Sequence, residues 1–229
     1  MEVASDNNLT LLDTLHSKEA IVGGKMNNKT RRFTYLTLFV TIEIVLSVVP
    51  FLGYIPLGFI NATTLHIPVI LAAIILGKQE GAIVGGVFGL TSLIKNTMTP
   101  NATSFLFSPF FSVAGVNGNF GSLVIAILPR ILMGFIAGLL FEILAKKMKA
   151  NQSAAIASFL GSFINTILVM AGAYFFFKEA YANAVGVAIS SLGTFILTVV
   201  FTNGLVESIL AAIICPFVYK ATKRSIRKG

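Results

Sequence analysis

Tryptophan is absent from this chain of 229 residues, cysteine occurs once, and only 11% of the residues are charged. Each shortage excludes something. A single cysteine, Cys215, rules out an intrachain disulfide and any multi-cysteine metal site. No G-x-x-x-x-G-K-[ST] loop occurs: the pairs Gly24-Lys25 and Gly77-Lys78 lack both the earlier glycine and the following hydroxyl residue. There is no H-E-x-x-H, and His66 has no second histidine in the apolar segments to join it in a catalytic or metal site. No repeated half of the kind found in many secondary transporters is visible. The expectation is a chain that is not an enzyme, holds no metal or cofactor and hydrolyses no ATP by itself.

The shortage of charge is as informative. Soluble domains carry about 25% charged residues, whereas this sequence is 55% hydrophobic with a mean hydropathy of +0.87. That composition describes a polytopic membrane protein, with 20 Phe and 5 Tyr supplying the aromatic bulk. The net charge of +8 does not point to nucleic acid, because the charge is clustered. Of 17 Lys and Arg, all but Lys95, Arg130 and Lys178 fall before residue 33, at Lys78, at 146–149 or after residue 219. Residues 1–30 are polar, show no apolar core of a signal peptide, and read as a cytosolic tail.

A crossing helix needs about 20 mostly apolar residues. Six candidate spans follow, at 33–52, 62–77, 81–95, 121–145, 153–177 and 203–222. The basic connections after the second and fourth belong inside by the positive-inside rule, and basic ends on both sides close a scheme with both termini inside. The predicted fold is therefore an all-α membrane domain of six helices over 31–225, with long outer loops at 53–61, 96–120 and 178–202. These loops are poor in charge and rich in Phe, Asn and Ser, as a lid over an outward-facing pocket would be. The part 184–202 reads as a semi-buried loop or a lead-in to the last helix. Gly85, Gly86 and Gly89 permit tight helix contact.

Depth from the basic ends can be counted at about 1.5 Å per helical residue. Arg130, Asn165, Glu207, His66 and Glu43 then share a band from the midplane to the outer half, and Asn96, Asn101 and Ser104 enter it from the loop above. Polar groups at that depth pair with one another or line a path. One reading is an Arg130–Glu207 ion pair clamping two helices, with Asn165 as interhelical glue. The other is a site for a small anionic solute, because the planar guanidinium matches a carboxylate or phosphate. His66, just before Pro68, also fits a bond to a free carbonyl. Glu43 and Glu207 leave open a proton-coupled carrier of a small organic acid. The Phe residues at 105, 107, 110 and 111 suit a cap over the site or an anchor at the lipid interface. On the first span, Thr34, Thr37 and Thr41 form a narrow face of small residues where another helix could approach closely.

The stretch "INATTLHIPVILAAIILGKQEGAIVGGVFGLTSLIKNTMTPNATSFLFSPF" (60–110), with "LPRILMGF" (128–135) and "NGLVESILAAII" (203–214), resembles the S component, the substrate-binding membrane subunit, of an energy-coupling factor (ECF) vitamin transporter, most closely the pantothenate type. The resemblance covers about residues 31–225. It implies a vitamin bound in the outer half beneath the loops, and partners comprising a transmembrane scaffold subunit and two ATPases that use ATP and Mg. The candidate substrate-binding residues are Arg130, Glu207, Asn165, Asn96, Asn101, Ser104, Phe105, His66 and Asn61. The family's small-residue docking face, usually alanines, would here be Thr37 and Thr41. Pantothenate has one carboxylate, two hydroxyls and an amide, and this residue set offers a cation, amides and an acceptor. A bacterial plasma membrane is the implied location.

Overall fold

The computed structural model describes residues 28–49, 53–57, 60–113 and 116–226. Most of the expected polar tail, residues 1–27, lies outside the described residues. The chain divides into two compact units, Met1–Tyr35 and Leu36–Gly229. Of the first, residues 28–35 are described and form the opening turns of helix α1 (Asn28–Val48). All other elements belong to the second unit.

From Phe39 onward α1 buries one stripe at a spacing of four, Phe39, Glu43 and Ser47, and leaves Thr37, Leu38, Thr41, Ile42 and Val45 exposed. Of the polar members of the buried stripe, Ser47 is hydrogen-bonded, while Glu43 Oε2 is buried with no hydrogen-bond partner. Ser47 Oγ donates to the Glu43 carbonyl at 2.8 Å and sits 3.0 Å from Thr91 Oγ1. A short antiparallel hairpin follows, β1 (Tyr54–Leu57) with β2 (Ile60–Thr63), pairing Tyr54 with Thr63 and Leu57 with Ile60. The sequence reading took 53–61 as loop and 62–77 as span; the structure ends the hairpin at Thr63 and starts helix α2 at His66 (His66–Ile75).

Helix α2 is apolar on every side, and His66 through Ile74 are all buried. Such a helix belongs inside a bundle, and it packs against α3 (Lys78–Met98), α4 (Phe120–Leu144), α5 (Ala150–Val185) and α7 (Leu205–Ile226). Its ten residues need not cross lipid unaided, because protein satisfies its surroundings. Pro68 sits in its first turn, where the missing N–H costs nothing.

Helices α3 and α4 approach through glycine. A β-carbon on Gly81 would meet the Gly134 carbonyl at 2.8 Å, and one on Gly85 would collide with the Arg130 carbonyl. Gly89 lies as close to α4, whereas Gly86 faces only the Ile131 side chain at 3.7 Å, so the tight seam is 81, 85 and 89 rather than 85, 86 and 89. Between α3 and α4 the chain makes a 3₁₀ turn (Ser104–Leu106) and a second small pair, β3 (Ser112–Val113) with β4 (Val116–Asn117). Asn119 caps α4, accepting from the Gly121 N–H at 2.7 Å, while Ser122 Oγ accepts from Asn119 N and donates to the Phe105 carbonyl at 2.6 Å. One serine thus ties the loop to the helix start.

Helix α5 continues past the expected stop at residue 177. Phe177 has non-helical φ −138° and ψ 31°, a kink, and the helix ends at Gly186 in the left-handed region (φ +70°). Lys178 does not break it, since its Nζ rests 5.2 Å from the Tyr174 ring centroid four residues back. The segment read as an outer loop to residue 202 is largely helical: α6 (Leu192–Val199), a π turn (Val200–Gly204) and α7 run on without a break. The lead-in reading therefore holds over the semi-buried loop.

Among the described residues, three stretches are long and apolar enough to cross a membrane, Phe120–Leu144, Ala150–Val185 and Ile189–Thr222. The two-stranded pairs qualify the all-α expectation without altering its helical core. Two buried clusters fill that core. One joins Phe39, α2, Val84, Phe88, Met133 and Cys215; the other joins Phe105, Leu106, Ile125, Val169, Phe177 and Leu192 under the loops.

Candidate functional site

A cavity of about 380 Å³ lies where the two clusters meet, bounded by Leu65 and Phe88 of the first and Val169 of the second. Pockets for small molecules span roughly 300–1,000 Å³, so the space suits a compact solute. Three helical stretches each present several residues to it: Phe88, Ser92 and Asn96 from α3; Asn165, Thr166, Val169 and Met170 from α5; Val199, Asn203 and Glu207 from the run α6 to α7. Arg130 enters from α4, Thr63 from the hairpin, and Asn101, Thr103 and Phe107 from the loop.

Arg130 is only 7% exposed. Its position follows from the residue before it. Pro129 stands inside α4 and has no N–H to give the carbonyl four residues back, which is that of Ile125. Arg130 Nη1 donates to that oxygen at 2.6 Å. The guanidinium also lies 5.4 Å from the Phe88 ring centroid and 5.0 Å from that of Phe107. A charge-assisted hydrogen bond contributes about 1.5–3 kcal/mol and each ring about 0.5–2 kcal/mol. Together they match the ~2.5–3.5 kcal/mol that insertion of an arginine costs. The side chain is therefore held in place by the protein itself, with its charge retained.

Glu207 Oε1 accepts two bonds from Thr63, from the backbone N–H at 2.8 Å and from Oγ1 at 2.8 Å. The carboxylate thereby fastens the β-hairpin to the last helix. Thr63 is thus a hydrogen-bond partner of the Glu207 carboxylate, and the Ile125 carbonyl one of the Arg130 guanidinium.

Amides complete the wall. Asn96 Nδ2 donates to the Ser92 carbonyl at 2.8 Å, and its Oδ1 accepts from Ser104 Oγ at 2.8 Å. Ser104 Oγ in turn accepts from the Asn101 N–H at 2.8 Å, and Asn101 Oδ1 takes the Thr103 N–H and hydroxyl at 2.9 and 3.0 Å. These bonds pre-form the loop above the cavity. Asn165 Oδ1 is buried in the cavity wall with no hydrogen-bond partner, an acceptor awaiting a donor.

Of the residues expected from sequence, Arg130, Glu207, Asn165, Asn96 and Asn101 line one cavity. Ser104 stands behind Asn96 and Asn101, fully buried. Phe105 does not reach the cavity: it is buried edge-on against Phe177 at 5.5 Å and anchors the loop, while Phe107 two residues on covers Arg130. His66 is buried in α2 with Nε2 3.2 Å from the Glu207 carbonyl oxygen, the local role its place before Pro68 allowed. Glu43 is buried beside Ser47 and does not line the cavity. Asn61 pairs with Pro56 in the hairpin, and its side chain lies outside the described residues. Thr37 and Thr41 are exposed on α1. Sequence reasoning missed Thr63, Ser92, Thr166 and Asn203. Ser92 and Asn203 each stand four residues before a residue that was found, Asn96 and Glu207, so helical periodicity carried the missing signal.

Residues 31–219 match the family described as "ECF transporter, substrate-specific component". The chain is similar to the "Pantothenic acid transporter PanT" of Lactococcus lactis subsp. cremoris, 36% identical over 160 residues, which is 67% of this chain and 80% of the relative. It is also similar to the "Pantothenate transporter PanT" of Leuconostoc mesenteroides subsp. mesenteroides, 30% identical over 196 residues, 82% of this chain and 90% of the relative.

Proposed function

The chain belongs to the family of substrate-specific components of ECF transporters, multi-pass proteins of the bacterial cell membrane, and from that premise we propose that its cavity binds pantothenate. The observation that carries this reading is the Arg130 guanidinium, locked in the wall of a cavity otherwise ringed by amides and hydroxyls. Arg130 takes the carboxylate. Asn165, Asn96 and Asn203 pair with the amide and hydroxyls, and Val169, Met170 and Val199 cover the two methyl groups. The chain crosses the membrane six times with both ends in the cytoplasm, which places the hairpin and the 99–119 loop outside. A scaffold subunit and two ATPases supply the energy of transport through ATP and Mg. The scaffold docks on the exposed Thr37–Thr41 face of α1.

The absence of tryptophan makes heat or labelled ligand the practical readout. Purified chain in detergent should bind pantothenate saturably at one site without ATP, by titration calorimetry or equilibrium dialysis. Uptake into liposomes should require the scaffold, the ATPases and ATP. No saturable binding, or uptake by this chain alone driven by a pH gradient, would overturn the reading.

A further inference from the structure

We propose that Pro129 is a positioning residue that makes the site selective for an anionic group, by leaving the Ile125 carbonyl free to hold the Arg130 guanidinium. The inference rests on the assignment of the cavity to pantothenate and goes beyond it by naming how the selectivity is built.

A proline inside a helix is a liability, because it withdraws one intrahelical hydrogen bond and its ring crowds the carbonyl four residues earlier. In α4 that carbonyl is Ile125 O, in a buried residue where an unpaired acceptor is costly. An arginine immediately after the proline satisfies it at 2.6 Å through Nη1. The bond takes up one nitrogen of the fork, and the rings of Phe88 and Phe107 fix its plane. A guanidinium carries five N–H donors in a rigid arrangement, so anchoring one nitrogen sets the direction of the rest. Arg130 lines the cavity, so a ligand there meets a guanidinium whose orientation is already set. An alanine at 129 would restore the N–H, return Ile125 O to the helix ladder and release the guanidinium from its anchor. The helix itself should form at least as well, since proline is the poorest residue for a helix interior.

The test compares pantothenate with pantothenol, in which a CH₂OH replaces the carboxylate and nothing else changes. Titration calorimetry on the purified chain should show the native protein preferring the acid. Pro129→Ala should keep its thermal stability and pantothenol affinity, while the acid-to-alcohol preference falls by about tenfold, the equivalent of one charge-assisted bond. Leu128→Ala, on the exposed side of the same turn, should leave the preference unchanged. If the native chain binds neither compound, the assignment of the cavity itself fails. If it binds both equally, or if Pro129→Ala keeps the native preference or weakens both ligands alike, the positioning role is overturned while the assignment of the cavity stands.

Discussion

Gly85 of α3 lies directly against the main-chain carbonyl of Arg130 on α4, so close that no β-carbon fits between them. The same seam continues at Gly81, which meets Gly134, and at Gly89, whose added β-carbon would lie 2.8 Å from the Ile127 Cα. The depth at which the guanidinium enters the cavity is therefore set from across the helix pair by the absence of a side chain. Gly85→Leu should push α3 and α4 apart, at a cost of about 1–3 kcal/mol for overpacking, with a lower melting temperature and pantothenate binding weakened at least tenfold. Gly86→Ala, one residue away and facing only the Ile131 side chain, should change neither. Thermal unfolding and calorimetry in the same detergent decide it; native-like binding by Gly85→Leu would contradict the tight seam.

Charge alone does not account for Arg130. Its contacts need a planar cation within reach of the Phe88 and Phe107 rings and a fork that reaches the Ile125 carbonyl. Arg130→Lys keeps the charge and loses both, so it should bind pantothenate about 10- to 100-fold more weakly, in line with one or two charge-assisted bonds. Arg130→Ala should bind more weakly still and also melt lower, because Ile125 O is left unpaired. Lys146→Ala, in the basic turn after α4, should be indistinguishable from the native chain. A comparable loss at Lys146 would mean that the anion is attracted by general charge and not held by this fork.

What the sequence showed of this arrangement depended on contrast. An arginine, a carboxylate and an asparagine, Arg130, Glu207 and Asn165, stand out in apolar runs by that contrast, whereas Asn96 and Asn101 are legible from the loop that enters the same band. Hydroxyls do not stand out, since serine and threonine are tolerated throughout membrane helices, so Ser92, Thr63 and Thr166 stayed hidden. Phe105 and Phe107 are alike in sequence, and only the 3₁₀ turn at Ser104–Leu106 sends one into the core and the other over the guanidinium. The helix from 192 onward was obscured because hydropathy and charge count crossings. They do not show where a helix continues through a π turn, and that turn is the local feature that carries Asn203.

Glu207 serves two masters, the hairpin and the cavity. Its Oε1 holds both donors of Thr63, the last residue of β2. Removing the carboxylate in Glu207→Ala should free the hairpin. Hydrogen exchange at the Thr63 amide should then rise markedly, while amides of the buried helix α2 exchange as before. Glu207→Gln keeps an acceptor oxygen of the same reach, so its Thr63 amide should stay largely protected and its pantothenate affinity should fall less than in Glu207→Ala. Equal protection at Thr63 in all three proteins would show that the hairpin is held by other contacts.

The exposed face of α1 makes the most distant prediction, because it concerns transport and leaves binding alone. Thr37 and Thr41 lie on the surface, one turn apart, with Thr41 Oγ1 donating to the Thr37 carbonyl at 2.9 Å. That bond turns the hydroxyl back onto its own helix and leaves a low surface over which a second helix can close. The buried stripe of Phe39, Glu43 and Ser47 is the one that packs inward. Replacing both threonines by leucine adds bulk on the exposed face. The double variant should fold, melt and bind pantothenate like the native chain. ATP-dependent uptake in liposomes with the scaffold and ATPases should drop severalfold, and the chain should co-purify poorly with them. If uptake survives, the partner docks elsewhere on the bundle. If binding falls as well, α1 shapes the cavity through Ser47 and Thr91, whose hydroxyls meet at 3.0 Å, and through the Phe88 carbonyl that Thr91 Oγ1 reaches at 3.0 Å.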